Sequence, residues 1–149
     1  MKKQIILIIS SAAILGFVNP VFASESGIIK TARGQVWIER GASKLDAKVG
    51  DPVQEKDRVV VQAGGSVGIS MNDETLLSIG PNSSMVIDRY TYNPVTREGH
   101  VETSLLKGTL RFVTGLIGRL HPEAIKLNTP TATMGVRGTD FIVEVLDVK

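Results

Sequence analysis

TPTATMGVRGTDFIVEV, residues Thr129 to Val145, is an extended run begun by a proline, a four-residue turn with Gly135 and Gly138 at its ends, and a strand. Glycine enters positive φ without steric cost, so the pair bracketing Val136 and Arg137 predicts a tight reversal between strands. After Thr139, the residues Phe141, Val143 and Val145 share one face, and Asp140, Ile142 and Glu144 share the other. That period of two is the mark of a half-buried strand. The segment is expected to form the last turn and last strand of a β-rich fold.

The same rhythm runs back through the chain. Gly34 to Gly41 alternates with Val36 and Ile38 on one side, and Asp57 to Gln62 is a valine-rich run ending at Gly64 and Gly65. Val67, Ile69 and Met71 alternate with Ser66, Gly68 and Ser70, so that strand has one apolar face and one very small face. Asn72, Asp73 and Glu74 predict a solvated turn before a strand from Thr75 to Ile79, and Ser84 to Arg89 reads as a strand with Met85 and Ile87 inward. Tyr90 to His100 reads as a polar loop. Val101 to Leu106 and Thr109 to Val113 predict a hairpin about Lys107 and Gly108, and the sheet resumes at Ala124. Strands at about ten-residue spacing, with no helical period, define an all-β domain, either a β-sandwich or a compact solenoid-like stack.

The first 23 residues differ in kind. Lys2 and Lys3 precede an apolar run from Ile5 to Val18, and Val21-Phe22-Ala23 places small residues where signal peptidase cuts. Cleavage after Ala23 is expected, leaving one domain over residues 24–149 and a periplasmic or, alternatively, extracellular protein. Removing the two lysines from 17 basic residues leaves 15 against 15 acidic ones. A neutral chain has no electrostatic footprint for nucleic acid or anionic membrane. There is no cysteine, so no disulfide supports the fold, no thiolate chemistry is available and no lipid can be attached at a cysteine.

Several stretches together resemble the FecR domain family: Thr-Pro, an alternating strand, Gly-Val-Arg-Gly-Thr and a hydrophobic strand in Thr129–Val145; Val49-Gly50-Asp51 before Asp57-Arg58-Val59; Ser66 to Pro81; and Leu106 to Val113. The chain departs from the pattern at Asn72-Asp73-Glu74-Thr75, where the family usually has Asp-Gly-Ser or Asp-Gly-Thr. It also has a longer, more apolar connection between Val113 and Ala124. The resemblance implies an all-β contact domain of the cell envelope. Well-known relatives add a sigma-factor-binding region, a membrane span and a receptor-contacting module, and the sigma-regulator role is not expected to come with this domain alone.

Candidate chemistry is sparse. Gly64-Gly65-Ser66-Val67-Gly68 fits G-x-S-x-G, but a nucleophile elbow needs a helix after the serine, and here strand alternation continues. His100 and His121 fall in no ligand-spaced cluster, and the Asn72 turn lacks calcium-loop spacing. No cofactor, metal or catalytic activity is expected. Arg137 between its glycines has a guanidinium fork suited to a ligand carboxylate or phosphate, with a bond to Asp140 or to turn carbonyls as the alternative. Trp37 is out of phase with Val36 and Ile38, so it is either a partner-facing anchor or part of a second covered face. Leu116 and Ile117, with Leu120, form either a partner patch or a connection folded onto the sheet.

These readings predict a non-enzymatic binding or sensing module whose partner is another envelope protein. Self-assembly as a homo-oligomer is the second reading, and glycan or peptidoglycan binding the third.

Overall fold

A computed structural model describes residues 24–146, so the predicted signal segment lies outside the described residues. The alternation seen in the sequence becomes twelve strands: β1 (Glu25–Arg33), β2 (Val36–Arg40), β3 (Ser43–Asp46), β4 (Pro52–Gln54), β5 (Arg58–Val61), β6 (Ser66–Met71), β7 (Leu76–Ile79), β8 (Ser83–Tyr92), β9 (Gly99–Val113), β10 (Ile125–Asn128), β11 (Thr133–Gly135) and β12 (Asp140–Val145). One helical turn, α1 (Leu116–Leu120), and a 3-10 turn at Pro122–Ala124 fill the long connection after β9. β8 runs to Tyr92, so the polar loop is confined to residues 93–98, and Tyr90 is a strand residue.

The strands form one curled sheet in the order β3-β2-β5-β8-β9-β7-β6-β1-β4, with β10 and β12 added alongside β9 and β11 alongside β10. Pairing is antiparallel except for β10 on β9, which is parallel. Inward residues from both halves, Ile38, Val59, Ile87 and Leu127 from one and Ile29, Ile69, Leu77 and Phe112 from the other, meet in a single core. The all-β single domain expected from the sequence is present, with its two halves continuous through β9.

The predicted hairpin at Lys107 and Gly108 is instead the middle of β9. Its first half pairs with β8 and β10, and its second half with β7 and β12. Opposite β8, Ser84 faces Lys107 while Met85 faces Leu105, leaving Leu106 as an extra residue. This bulge slips the inward phase from Val101, Thr103 and Leu105 to Leu110 and Phe112. Gly108, at φ 87, takes the bend, and a side chain there would run into Ser83. A phase slip beside a glycine looks like a turn in sequence, and here it lets one strand serve both halves of the sheet.

The C-terminal segment also reverses in a different place. β10 and β11 pair antiparallel, and the tight turn between them is Thr129 to Ala132. There the Thr129 N–H donates to the Ala132 carbonyl at 2.7 Å and the Ala132 N–H donates to Thr129 Oγ1 at 3.1 Å. Gly135 to Gly138 is a crossing: it carries the chain from β11 in one half of the sheet to β12, which pairs with β9 in the other. Gly138 adopts φ 152, whereas Gly135 has no positive φ. The alternation of β12 is as read, with Phe141, Val143 and Val145 half-buried and Asp140, Ile142 and Glu144 exposed.

Candidate functional site

Trp37 stands on the outer face of β2, since its neighbours Val36 and Ile38 point into the core. Its indole N–H donates to Glu39 Oε1 at 3.1 Å, and Lys44 Nζ from β3 lies 3.7 Å from the ring centroid. Trp37 faces Asp46 across β3 and Val60 across β5, while Arg58 sits 3.7 Å from Glu39. The ring is therefore half-buried and fixed by partners of its own sheet. A cation over an indole face contributes about 0.5–1 kcal/mol at an exposed site, enough to favour one orientation.

Arg137 lies exposed in the β11–β12 crossing. The alternative bond to Asp140 is not formed. Asp140 is taken by Arg111, whose Nε and Nη2 donate to its two oxygens at 3.0 and 2.6 Å. That fork holds the Asp140 carboxyl below its ordinary range, with the Arg111 charge adding to the effect. Thr139 and Gly138 serve the backbone instead. Thr114 N–H donates to the Thr139 carbonyl at 2.9 Å and Thr114 Oγ1 to the Gly138 carbonyl at 3.0 Å.

In α1, Ile117 is fully buried, so this candidate belongs to the core and is not available to a partner. Apolar residues one helical turn long can place only some members outward: Leu116 is half-buried and Leu120 is 50% exposed. The candidates do not converge on one place. Four strands separate β2 from β11, so Trp37 and the start of the Arg137 crossing lie about 24 Å apart measured along the curled sheet at 4.8 Å per strand.

Two polar clusters escaped the reading of the sequence. In the turn expected to be solvated, Asn72 and Glu74 are exposed but Asp73 is buried: its carboxylate accepts from Tyr90 Oη at 3.0 Å and Thr75 Oγ1 at 2.8 Å, and its carbonyl accepts from the Leu116 N–H at 2.7 Å. Thr75 Oγ1 accepts in turn from the Gly115 N–H at 3.0 Å. This knot ties β8, the β6–β7 turn and the start of α1. Asp57, also buried, receives Arg40 Nε and Nη2 at 2.8 and 2.7 Å and the Gln54 N–H at 2.8 Å, linking β2, β4 and β5. The only signal for either in the sequence was a carboxylate standing next to strand residues, which is common on solvated turns.

Ser66 opens β6 and its neighbour Val67 pairs with Ile79, so the strand geometry is that of a sheet and not of a nucleophile elbow. His100 sits 3.6 Å from Glu102, and the Asn128 amide, first, and His100, second, hold the Glu102 carboxyl below its ordinary range. Among the described residues no helix is long and apolar enough to cross a membrane.

Fold and sites together define a single-domain all-β protein whose two buried carboxylates, Asp57 and Asp73, tie its strands together. The FecR protein family matches residues 57–149, more than half of the chain, and the chain belongs to that family. The match begins at the buried Asp57, and β1 to β4, which precede it, are part of the same sheet. FecR proteins are envelope-associated signalling regulators. No curated protein and no solved structure matches the chain.

Proposed function

We propose that this protein is a periplasmic binding or sensing module that acts without catalysis, by protein contact, in cell-envelope signalling. The observation that carries the reading is Trp37: an aromatic ring on the outer sheet face, already oriented by Glu39 and Lys44. A partner docking on a ring fixed beforehand loses less side-chain entropy, and tryptophan is enriched among residues that dominate interface energy. Arg137, exposed and 24 Å or so away by strand count, offers a second contact suited to a carboxylate on the same or another partner. Membership of a family of signalling regulators supports the reading.

The test is site-specific photocrosslinking in living cells, with probes at Trp37, Leu116 and Arg137. A discrete partner band at Trp37, absent with the probe at exposed Val95, is expected. If all three positions give only what the Val95 control gives, the contact reading fails.

A further inference from the structure

The curled sheet leaves four strands with one unpaired side among the described residues: β3, β4, β11 and β12. Three are poor templates for another strand. β4 has three residues and begins with Pro52, β11 has three residues, and β3 carries Lys44. Short length, proline and lysine are the usual devices that protect an edge. β12 has six residues, no proline, no lysine and no bulge, and Ile142 at its centre is 67% exposed.

The hydrogen-bond parity of β12 follows from its partner. Thr114 N–H donates to the Thr139 carbonyl, so Thr114 and Thr139 are a hydrogen-bonded pair at the head of the ladder. Such pairs alternate in an antiparallel ladder. Phe141, Val143 and Val145 therefore bond to β9, and the backbone groups of Asp140, Ile142 and Glu144 point to the open side. A groove between the end of β12 and the β10–β11 turn is lined by Leu106, Pro130, Met134, Val143 and Val145.

We infer that the occupant of this edge is the β12 strand of a second copy, paired antiparallel about a two-fold axis through Val143. The backbone parity allows only registers that pair the even-numbered residues with one another. Centred on Ile142, Asp140 would oppose the partner's Glu144, and centred on Glu144, two glutamates would meet at the axis. Like charges directly opposite are destabilising. Centred on Val143, Ile142 opposes the partner's Glu144 and Asp140 opposes the partner's Leu146, with no carboxylates facing. On the inner face Phe141 then meets the partner's Val145, and Val143 meets the partner's Val143. Centred on Phe141, no carboxylates face either, but only Asp140 to Ile142 of each strand overlap, so the Val143 register is the longest one free of facing carboxylates, and the two copies make one continuous sheet. This dimer is independent of the partner contact proposed at Trp37.

Sedimentation velocity of the purified protein over a wide concentration range, with variants of this edge, tests the inference. The wild-type chain is expected to dimerise reversibly. Ile142→Pro removes an N–H that faces away from β9, so the monomer keeps its ladder while the dimer dissociation constant rises by about tenfold or more. Ile142→Lys, a gentler change, is expected to act in the same direction. Val143 is a non-hydrogen-bonded pair across the axis, with Cα atoms about 4.5 Å apart, within disulfide reach. Since the chain has no cysteine, Val143→Cys is expected to give a disulfide dimer under mild oxidation, and Ile142→Cys is not. A chain that stays monomeric, whether its edge remains open or is taken by a strand of another protein, overturns the inference. So does a dimer unmoved by both Ile142 variants, or one that fails to crosslink through Val143→Cys.

Discussion

Tyr90 and Asp73 hold each other twice: the Tyr90 hydroxyl donates to Asp73 Oδ1 at 3.0 Å and accepts from the Asp73 N–H at 2.9 Å. Both residues are buried, so neither group has water as a substitute. Tyr90→Phe keeps the ring and leaves both Asp73 groups without that partner. A hydrogen bond to a carboxylate in such a setting contributes about 1.5–3 kcal/mol, so a loss of about 2 kcal/mol is expected in urea unfolding. A change below about 0.5 kcal/mol would show that the pair does not hold β8 to the turn.

The same contact sets an alkaline limit. Burial, and then the Asp73 charge, push the Tyr90 phenol well above its ordinary value of 10.0. Below pH 10 both folded and unfolded chains hold this proton, and the stabilisation is present in full. Above it the unfolded chain releases the proton while the folded chain keeps it, so stability falls as pH rises, by up to about 1.4 kcal/mol per pH unit. Unfolding in urea at pH 8, 10 and 11 should show the decline, and Tyr90→Phe should remove one proton from its slope. An unchanged slope in the variant would assign the decline elsewhere.

Strand positions were legible because period-two alternation is a local property, and β2, β5, β6, β7 and β12 fall where the apolar residues alternate. Connectivity was less so. Leu106 and Gly108 interrupt the alternation in the same way whether the chain turns back or bends through a bulge, and only the partners on either side decide which. Gly135 and Gly138 are likewise two glycines around two residues, and sequence does not say that β12 finds β9 in preference to β11. Of the candidate contacts, the outward phase of Trp37 could be read directly. The burial of Asp73 could not, because it depends on Tyr90, 17 residues away, and on α1 more than 40 residues away.

Glu74 occupies the position where the family's usual turn has glycine, and it adopts the conformation that glycine would: φ 69. The departure changes the residue and retains the positive-φ turn, since Asp73 and Thr75 still make their bonds to each other. A side chain in the left-handed region costs about 1–2 kcal/mol, of which the greater chain entropy of an unfolded glycine returns a part. Glu74 is exposed and no hydrogen bond to its side chain is present among the described residues, so Glu74→Gly is expected to stabilise the protein by about 0.5–1 kcal/mol. A rise in the urea midpoint with an unchanged m-value would show it. Destabilisation would mean that the Glu74 side chain contributes to the fold.

Gly135 and Gly138 look equivalent in the sequence, and the structure separates them. At Gly138, φ 152 is outside what a side chain readily accepts, and its carbonyl is fixed by Thr114 Oγ1 at 3.0 Å. At Gly135 there is no positive φ, and an added Cβ would meet nothing within 4 Å. Gly138→Ala must either strain the crossing or release the Thr114 bonds that begin the β9–β12 ladder, and a loss of about 1–3 kcal/mol is expected. Gly135→Ala should be neutral or slightly stabilising, within about 0.5 kcal/mol, because it only removes freedom from the unfolded chain. Hydrogen exchange gives the finer reading: in Gly138→Ala the amides of Phe141 and Val143, which bond to β9, should lose protection while those of Val59 and Val61 in β5 keep theirs. Equal effects of the two alanines would mean that Gly135–Gly138 works as the symmetrical hairpin turn that the sequence suggests, and that the crossing between the two halves of the sheet is wrong.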